Sequence, residues 1–349
     1  MQATHNRGML PPARSSSALA PLVETYRGDT LENLHFGAIA VTDTTGRLIA
    51  SAGDPHWMTF TRSTLKALQA LSFVQSGGAR ALGLTPQNLA LMCASHSGEP
   101  MHVEQCQSIL DKAGVTYKRL QCGCHVPYYV EHGVGPAPAQ IDERMHNCSG
   151  KHAGFLAHCV HSDWPLDDYL DPSHPLQQSV RAHVARATGL AESQMGMGID
   201  GCSAPNYAIP LSALARGYAR LASGAGDAEF GASFQQLADA MRAHPDLVSG
   251  TGRSDLAFMR AGRGDWVTKV GAEGVQAFAS ASRGQAFAIK ISDGNKQALY
   301  AATVEVLDQL GWLDDAQREA LEPWRARQIH SIRGVVVGER KPAFKLQFA

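Results

Sequence analysis

No window of 18 consecutive apolar residues occurs in the 349-residue sequence, so no segment reads as a membrane-spanning helix. An excess of one charge is also missing: 31 Lys and Arg stand against 32 Asp and Glu, for a formal net charge of -1. Such a chain carries no electrostatic footprint for nucleic acid or an anionic membrane, and neither is expected as a partner. The stretch "MQATHNRGMLPPARSSSALAPL" lacks a continuous apolar core after its basic residues and is not expected to act as a secretory signal. The 15 histidines form no tract, and the seven cysteines, an odd count, include no Cys-x-x-Cys pair. Together these features point to a reducing cytoplasm with free or metal-bound thiols. No internal repeat of 20–50 residues is present, which excludes solenoid architectures.

The composition does support a core. Hydrophobic residues make up 44% and charged residues 18%, and the length suits two domains or one large domain with an insertion. Residues 1–20, rich in Pro, Ser, Arg and Ala, read as a flexible leader. "FGAIAVTDTTGRLIASAG" alternates apolar and polar residues around a Thr-Thr-Gly turn and predicts a β-hairpin. Helical patterns then dominate: "LKALQALSFVQSGGARAL", "VEQCQSILDKAG", "GKHAGFLAHCVHS", "PLQQSVRAHVARATG", "PLSALARGYARLASG" and "FQQLADAMRAHP". Near the C-terminus three strands and a closing helix are expected from "DWVTKVGAEG", "GVQAFASAS" and "GQAFAIKISDGNKQALYAATVEVLDQLGWL". Strands at both ends with helices between them predict one sheet built from the two ends. This gives an α/β (α+β) chain with a sheet-containing domain of residues 21–60 plus 261–349 and a mainly helical domain of residues 61–260.

Chemistry enters at Ser63-x-x-Lys66 in "TRSTLKAL". Residues three apart on a helix share a face, so the hydroxyl and the amine can meet. Serine needs a base to act as a nucleophile, and a lysine serves if its pKa falls from about 10.4 toward 7–8. The plainer reading is a surface lysine beside a helix-capping serine, and the pattern arises by chance in most chains this long. Lys269-Val270-Gly271 adds weight. It resembles the Lys-Thr-Gly strand of serine β-lactamases and penicillin-binding proteins, in the same chain order. Their Ser-Asp-Asn element is absent. "SDGN" at residues 292–295 reads instead as a hairpin turn. Ser95, where "LALMCAS" ends in a polar cluster, is the candidate second serine, against the alternative of a turn or cap residue. Cys148 in "HNCSGKHAGFLAHC" and Cys202 in a Gly-rich loop are two thiols from separate segments that suit zinc, against the alternative of inert buried cysteines.

Taken together, "TRSTLK", "ALMCASHSGEPMH", Cys122–Pro127, "NCSGKHAGF", "GIDGCSAPNYAIPL", "HPDLVSGTGRSD" and "KVGAEGV" resemble the class 3, rhizobial-type (asparaginase II family) L-asparaginases, from about residue 25 to 345. The resemblance implies a β-lactamase-like fold, an antiparallel sheet flanked by helices with a helical insertion. It implies Ser63 as nucleophile with Lys66 as its partner, and Ser95 with Lys269 as the second pair. Cys148, Lys151 and Cys202 are implied as ligands of one zinc ion, completed by water, and a cytoplasmic homodimer is implied. Ala67 departs from the Pro expected after Lys66. Alanine favours the helix, so the geometry should survive.

The reaction then expected is hydrolysis of L-asparagine to L-aspartate and ammonia. Asparagine is a small zwitterion, so its pocket needs both signs of charge. Arg62 suits the α-carboxylate and Asp200 the α-ammonium, with a structural ion pair as the alternative for each. His152, in the same motif as Lys151, is a third substrate-binding candidate. The competing readings are another serine amidohydrolase (a glutaminase, β-lactamase or peptidase) and a zinc-containing amino-acid-binding protein without turnover.

Overall fold

In the strand Thr30–Asp43 the segment Ala38-Ile39-Ala40-Val41 alternates small and large apolar residues, and all four are fully buried. A strand sends successive side chains to opposite faces, so this pattern describes a sheet covered on both sides. The computed structural model describes residues 18–325 and 327–349 and shows that arrangement. The leader expected over residues 1–20 lies outside the described residues except for its last three positions.

The main sheet is antiparallel and curled. Its strands are β1 (Ala20–Arg27), β2 (Thr30–Asp43), β3 (Leu48–Ala52), β7 (Trp266–Gly271), β8 (Val275–Ser280), β9 (Gln285–Ile291), β10 (Gln328–His330), β11 (Val336–Pro342) and β12 (Gln347–Phe348). The order is β10-β11-β1-β2-β9-β8-β7, with β3 alongside β2 and β12 alongside β3. The first strands and the last therefore pair, as the sequence predicts: Ile39 lies opposite Ile289. The β2–β3 hairpin closes through a turn in which Asp43 Oδ1 accepts the Thr45 and Arg47 N–H groups at 2.9 and 3.1 Å.

One face of this sheet is built from alanines. Ala38, Ala40, Ala277, Ala279, Ala286 and Ala288 are buried together with Leu211, Leu214 and Tyr218 of the helix Leu211–Ser223. Small side chains let that helix lie close to the strands. The opposite face carries Ile39, Val41, Phe278, Phe287, Ile289 and Ile291, packed against the helix Lys296–Gln309 and Trp312. Phe278 is the hub: it stacks on Phe287 at 5.0 Å and meets Trp266 edge-on at 5.1 Å.

The helices expected between the sheet's two parts are present as Lys66–Gln75, Pro100–Ala113, Ser149–His161, Pro175–Thr188, Leu211–Ser223 and Gly231–Ala243. Three features differ from the expectations. The first helical pattern breaks at Gly77, whose φ of +81° is left-handed, and resumes as a short turn at Gly78–Ala81. A second, three-stranded sheet pairs β4 (Met58–Phe60), just ahead of the middle segment, with β5 (Gly196–Ile199) and β6 (Pro205–Pro210) inside it, in the order β4-β6-β5. Finally, "SDGN" is not a hairpin turn. Asn295 accepts the Ala298 N–H at 2.9 Å and so caps the helix Lys296–Gln309. An Asx cap and an Asx turn use the same residue types, and only the conformation of the next few residues separates them.

Truncating Phe278 to Ala should cost about 3–5 kcal/mol, the usual range for deleting a fully buried aromatic ring. Equilibrium urea unfolding of the two proteins reads this directly. A loss below about 1 kcal/mol would show that the surrounding rings collapse into the space.

Candidate active site

Ser63 lies on a tight 3-10 turn, Arg62–Leu65, that runs straight into the helix Lys66–Gln75. Its predecessor Arg62 has a φ of +49°, a left-handed conformation that a long side chain adopts only where its surroundings impose it. Asn206 on β6 does so. Its Oδ1 accepts the Arg62 N–H at 3.0 Å, and its Nδ2 donates to the Arg62 carbonyl at 3.0 Å. The Tyr218 hydroxyl donates to the Thr64 carbonyl at 2.6 Å. Gly271 closes the other side: a Cβ there would lie 3.1 Å from Thr61 O and 3.3 Å from Arg62 Cβ. The glycine of Lys269-Val270-Gly271 is thus what lets β7 abut the Ser63 turn.

Lys66 is buried, and its Nζ donates to the Ala94 carbonyl, to Ser95 Oγ at 3.0 Å and to the Asn147 carbonyl at 3.1 Å. Three oxygens thus surround the amine, and none of these bonds reaches Ser63. The contact made is therefore Lys66 with Ser95, with Ser63 one helical turn ahead. Ser95 is fixed by its own N–H, which donates to the Val248 carbonyl at 3.0 Å.

Lys269 does not bond Ser95. It lies opposite Ala277, on the alanine face of the sheet, and its Nζ meets Asp255 Oδ2 at 3.1 Å and the Val270 carbonyl at 2.8 Å. Both partners of this ion pair are fully buried. Burial pulls the Lys269 pKa down to about 8; the Asp255 carboxylate opposes that shift and the Lys66 ammonium adds to it. Asp255 also accepts the Val270 N–H at 2.9 Å, so one carboxylate anchors strand and amine together.

Cys148 sits at the N-cap of the helix Ser149–His161, which places Lys151 in the first turn. Cys202 lies in the tight β5–β6 connection, closed by the Asp200 N–H donating to the Ala204 carbonyl at 2.9 Å. Lys151 Nζ is 2.9 Å from Cys202 Sγ, and all three side chains are buried. A hydrogen bond from Cys148 holds the Cys202 thiol well below its ordinary range, with burial opposing and Lys151 assisting. Burial disfavours charge on Lys151, yet the Cys202 and Cys148 sulfurs outweigh it and raise its pKa. His152 bonds the Tyr169 hydroxyl through Nδ1 at 2.8 Å, and its buried Nε2 has no hydrogen-bond partner. Among the described residues no cluster of three His, Cys, Asp or Glu side chains suited to a metal occurs. The donor set here is different: two sulfurs and an amine.

A cleft of about 440 Å³ adjoins the turn, lined by Thr59, Phe60, Arg62, Ile199, Asp200, Asn206, Glu273 and Lys290. Its lining stops at Arg62, one residue short of Ser63, and does not include His152. Arg62 Nε donates to Asp200 Oδ1 at 2.8 Å, so the two charged candidates are paired with each other. Three residues here carry no expectation from the sequence: Asn147, Asn206 and Asp255. Each stands inside a motif, in "HNCSG", "APNYAIP" and "TGRSD". Each works by long-range bonds that involve main-chain groups, which no local pattern reveals.

A small-molecule cleft beside a serine turn, with buried lysines behind it, has the makeup of a hydrolase site. A family profile described as L-asparaginase II matches residues 23–342, so the chain belongs to the L-asparaginase II family. The protein is accordingly an amidohydrolase. A search for similar curated proteins finds no match.

The Lys269–Asp255 pair makes a pH prediction. The folded pKa of Lys269, about 8, lies below the unfolded lysine value near 10.4. Stability gained from its neutral form is present above the unfolded value and lost as pH falls through about 8. Asp255→Asn removes the influence that raises this pKa and should move the transition to lower pH. Denaturation midpoints and pH–rate profiles of both proteins, recorded from pH 6 to 10, read the shift; coincident profiles would rule Asp255 out as the partner that sets it.

Proposed function

We propose that the chain hydrolyses L-asparagine to L-aspartate and ammonia through an acyl-enzyme on Ser63. The observation that carries this reading is the bond from buried Lys66 to Ser95 Oγ, directly behind the Ser63 turn, in a chain of this family. Ser63 Oγ attacks the side-chain amide carbon, and its proton passes to Lys66 in its neutral form. The Lys66–Ser95 hydrogen bond is the route by which that proton reaches the departing nitrogen. The C–N bond breaks, ammonia leaves, and an aspartyl ester remains on Ser63. Water then cleaves the ester and the proton returns to Ser63. Lys269, held by Asp255, balances charge as the oxyanion forms. Arg62 takes the α-carboxylate.

The fold we assign is that of the serine β-lactamases and penicillin-binding proteins. Support comes from the antiparallel sheet drawn from both chain ends, the helical segment between, and a lysine strand abutting the serine turn. The division into residues 21–60 plus 261–349 and residues 61–260 follows the same plan, although the helix Leu211–Ser223 of the middle segment packs on the sheet itself. No helix among the described residues is long and apolar enough to cross a membrane. A cytoplasmic homodimer is the assembly proposed.

We infer that Cys148, Lys151 and Cys202 hold one zinc ion per chain. Three buried donors from two segments converge, and His152 lies beside them, near enough to Cys202 to help lower its thiol's pKa. Bound there, zinc supplies positive charge that orients substrate and favours the neutral form of Lys151.

Two outcomes test these assignments. Ser63→Ala should lower ammonia release from L-asparagine by about a thousandfold or more while the fold is kept; retention of a tenth of the rate would exclude the covalent role. Cys202→Ser should strip the metal and raise KM more than it lowers kcat, read by elemental analysis beside steady-state kinetics. Wild-type protein purified without chelator and free of zinc would remove the site.

A further inference from the structure

The turn between β7 and β8 contains a residue whose backbone does not suit it. Glu273 has a φ of +61°, in the left-handed region, where Gly and Asn are the residues most readily accommodated. A simple hairpin turn has no need of glutamate there. The surroundings instead make room for its carboxylate. Gly294 lies against it, and a Cβ on Gly294 would come within 3.0 Å of Glu273 Oε2. Lys290 Nζ ties the turn from beneath by donating to the Glu273 and Ile291 carbonyls.

The carboxylate so placed lines the 440 Å³ cleft and is two-thirds exposed. Its nearest cation is Arg62, with Nη1 at 3.9 Å from Oε1, too long for a hydrogen bond. Arg62 is already oriented by Asp200, which occupies Nε at 2.8 Å. The terminal nitrogens of the guanidinium and the Glu273 carboxylate thus stand side by side in one cleft, neither closed off by the other. An α-amino acid carries its ammonium and carboxylate on the same carbon. A receptor for it needs an anion and a cation that are near neighbours and not neutralised by tight mutual bonding.

We propose that Glu273 and Arg62 form the paired receptor for the α-ammonium and α-carboxylate of the substrate, with Asp200 as the residue that holds Arg62. This rests on the amino-acid amide reading given above and supplies the selectivity that reading lacks. Ser63 follows Arg62 in the chain, and on this proposal the side-chain amide of a zwitterion docked on Arg62 is the end that faces it. The choice of α-amino acids over simple carboxylic amides is then made by the β7–β8 turn.

Calorimetric titration of the full chain tests this in the Ser63→Ala background, where turnover does not interfere. The ligands are L-asparagine and succinamic acid, which has the same amide and carboxylate but no ammonium. Adding Glu273→Gln should weaken asparagine about tenfold, the usual scale for losing a hydrogen bond to a charged group, and leave succinamate within about twofold. Glu273→Asn separates this role from a structural one: it should weaken asparagine equally while holding or raising the melting temperature, because Asn suits the left-handed turn. Equal weakening of both ligands, unchanged asparagine binding, or no binding of either ligand would overturn the proposal. Ammonia release by the wild type is read separately. Asparagine binding that depends on Glu273, without any turnover, would sink the hydrolase reading and leave this one standing.

Discussion

A lysine ammonium taken out of water costs several kcal/mol unless charge and hydrogen bonds replace its hydration. Lys66, Lys151 and Lys269 are among the lysines this chain buries. Each is answered differently: Lys66 by three oxygens, Lys151 by two sulfurs, and Lys269 by a carboxylate. The groups that answer them come from the Ser95 segment, the Asn147–Cys148 segment, the β5–β6 loop and the helix Ser254–Ala261. Desolvating these amines correctly therefore requires the sheet and the helical segment to meet in one arrangement. For Lys269 the same requirement has a chemical consequence, because burial brings its titration nearer neutrality than that of an amine in water.

The serine turn is held by a second set of constraints that converge on the same place. Arg62 is kept in a left-handed conformation by the Asn206 carboxamide, gripped at both its N–H and its carbonyl. Gly271 lets β7 approach, and the Tyr218 hydroxyl fixes Thr64. β6 brings Asn206, and the β5–β6 loop brings Asp200 and Cys202. One short hairpin thus serves the turn, the Arg62 side chain and the group of Cys148, Lys151 and Cys202 at once. Preorganisation of this kind suits the nucleophilic role proposed for Ser63.

Much of the fold is legible in the sequence. Long amphipathic runs such as "PLSALARGYARLASG" and "VEQCQSILDKAG" form helices because a 3.6-residue period over many turns leaves little choice. The pairing of the first strands with the last follows from strand patterns that are legible only at the two ends. The strands β4, β5 and β6 are not legible: "MTF" is only three residues long, "GMGI" and "PNYAIP" are short and rich in Gly and Pro, and pairing stabilises them more than propensity does. "SDGN" misleads because its residues serve a hairpin and a helix cap equally well. The helix Asp315–Arg325 and strands β10 to β12 likewise carry no clear signal.

The residues proposed for amide hydrolysis, two serines, three lysines and two cysteines in recognisable motifs, belong to the sequence alone. So do the helix periods, the alternation of Ala with Ile and Val in β2, and the glycines where backbones touch. Partnership was decided only by the tertiary structure. Lys66 meets Ser95, Lys269 meets Asp255, and Arg62 meets Asp200, Asn206 and the edge of Glu273. Local sequence dictates which groups a segment carries and which way it turns, through sterics acting over a few residues. Which group faces which across long stretches of intervening chain depends on how the sheet and the helices around it pack together. That packing is a property of the whole fold, and no single segment contains it.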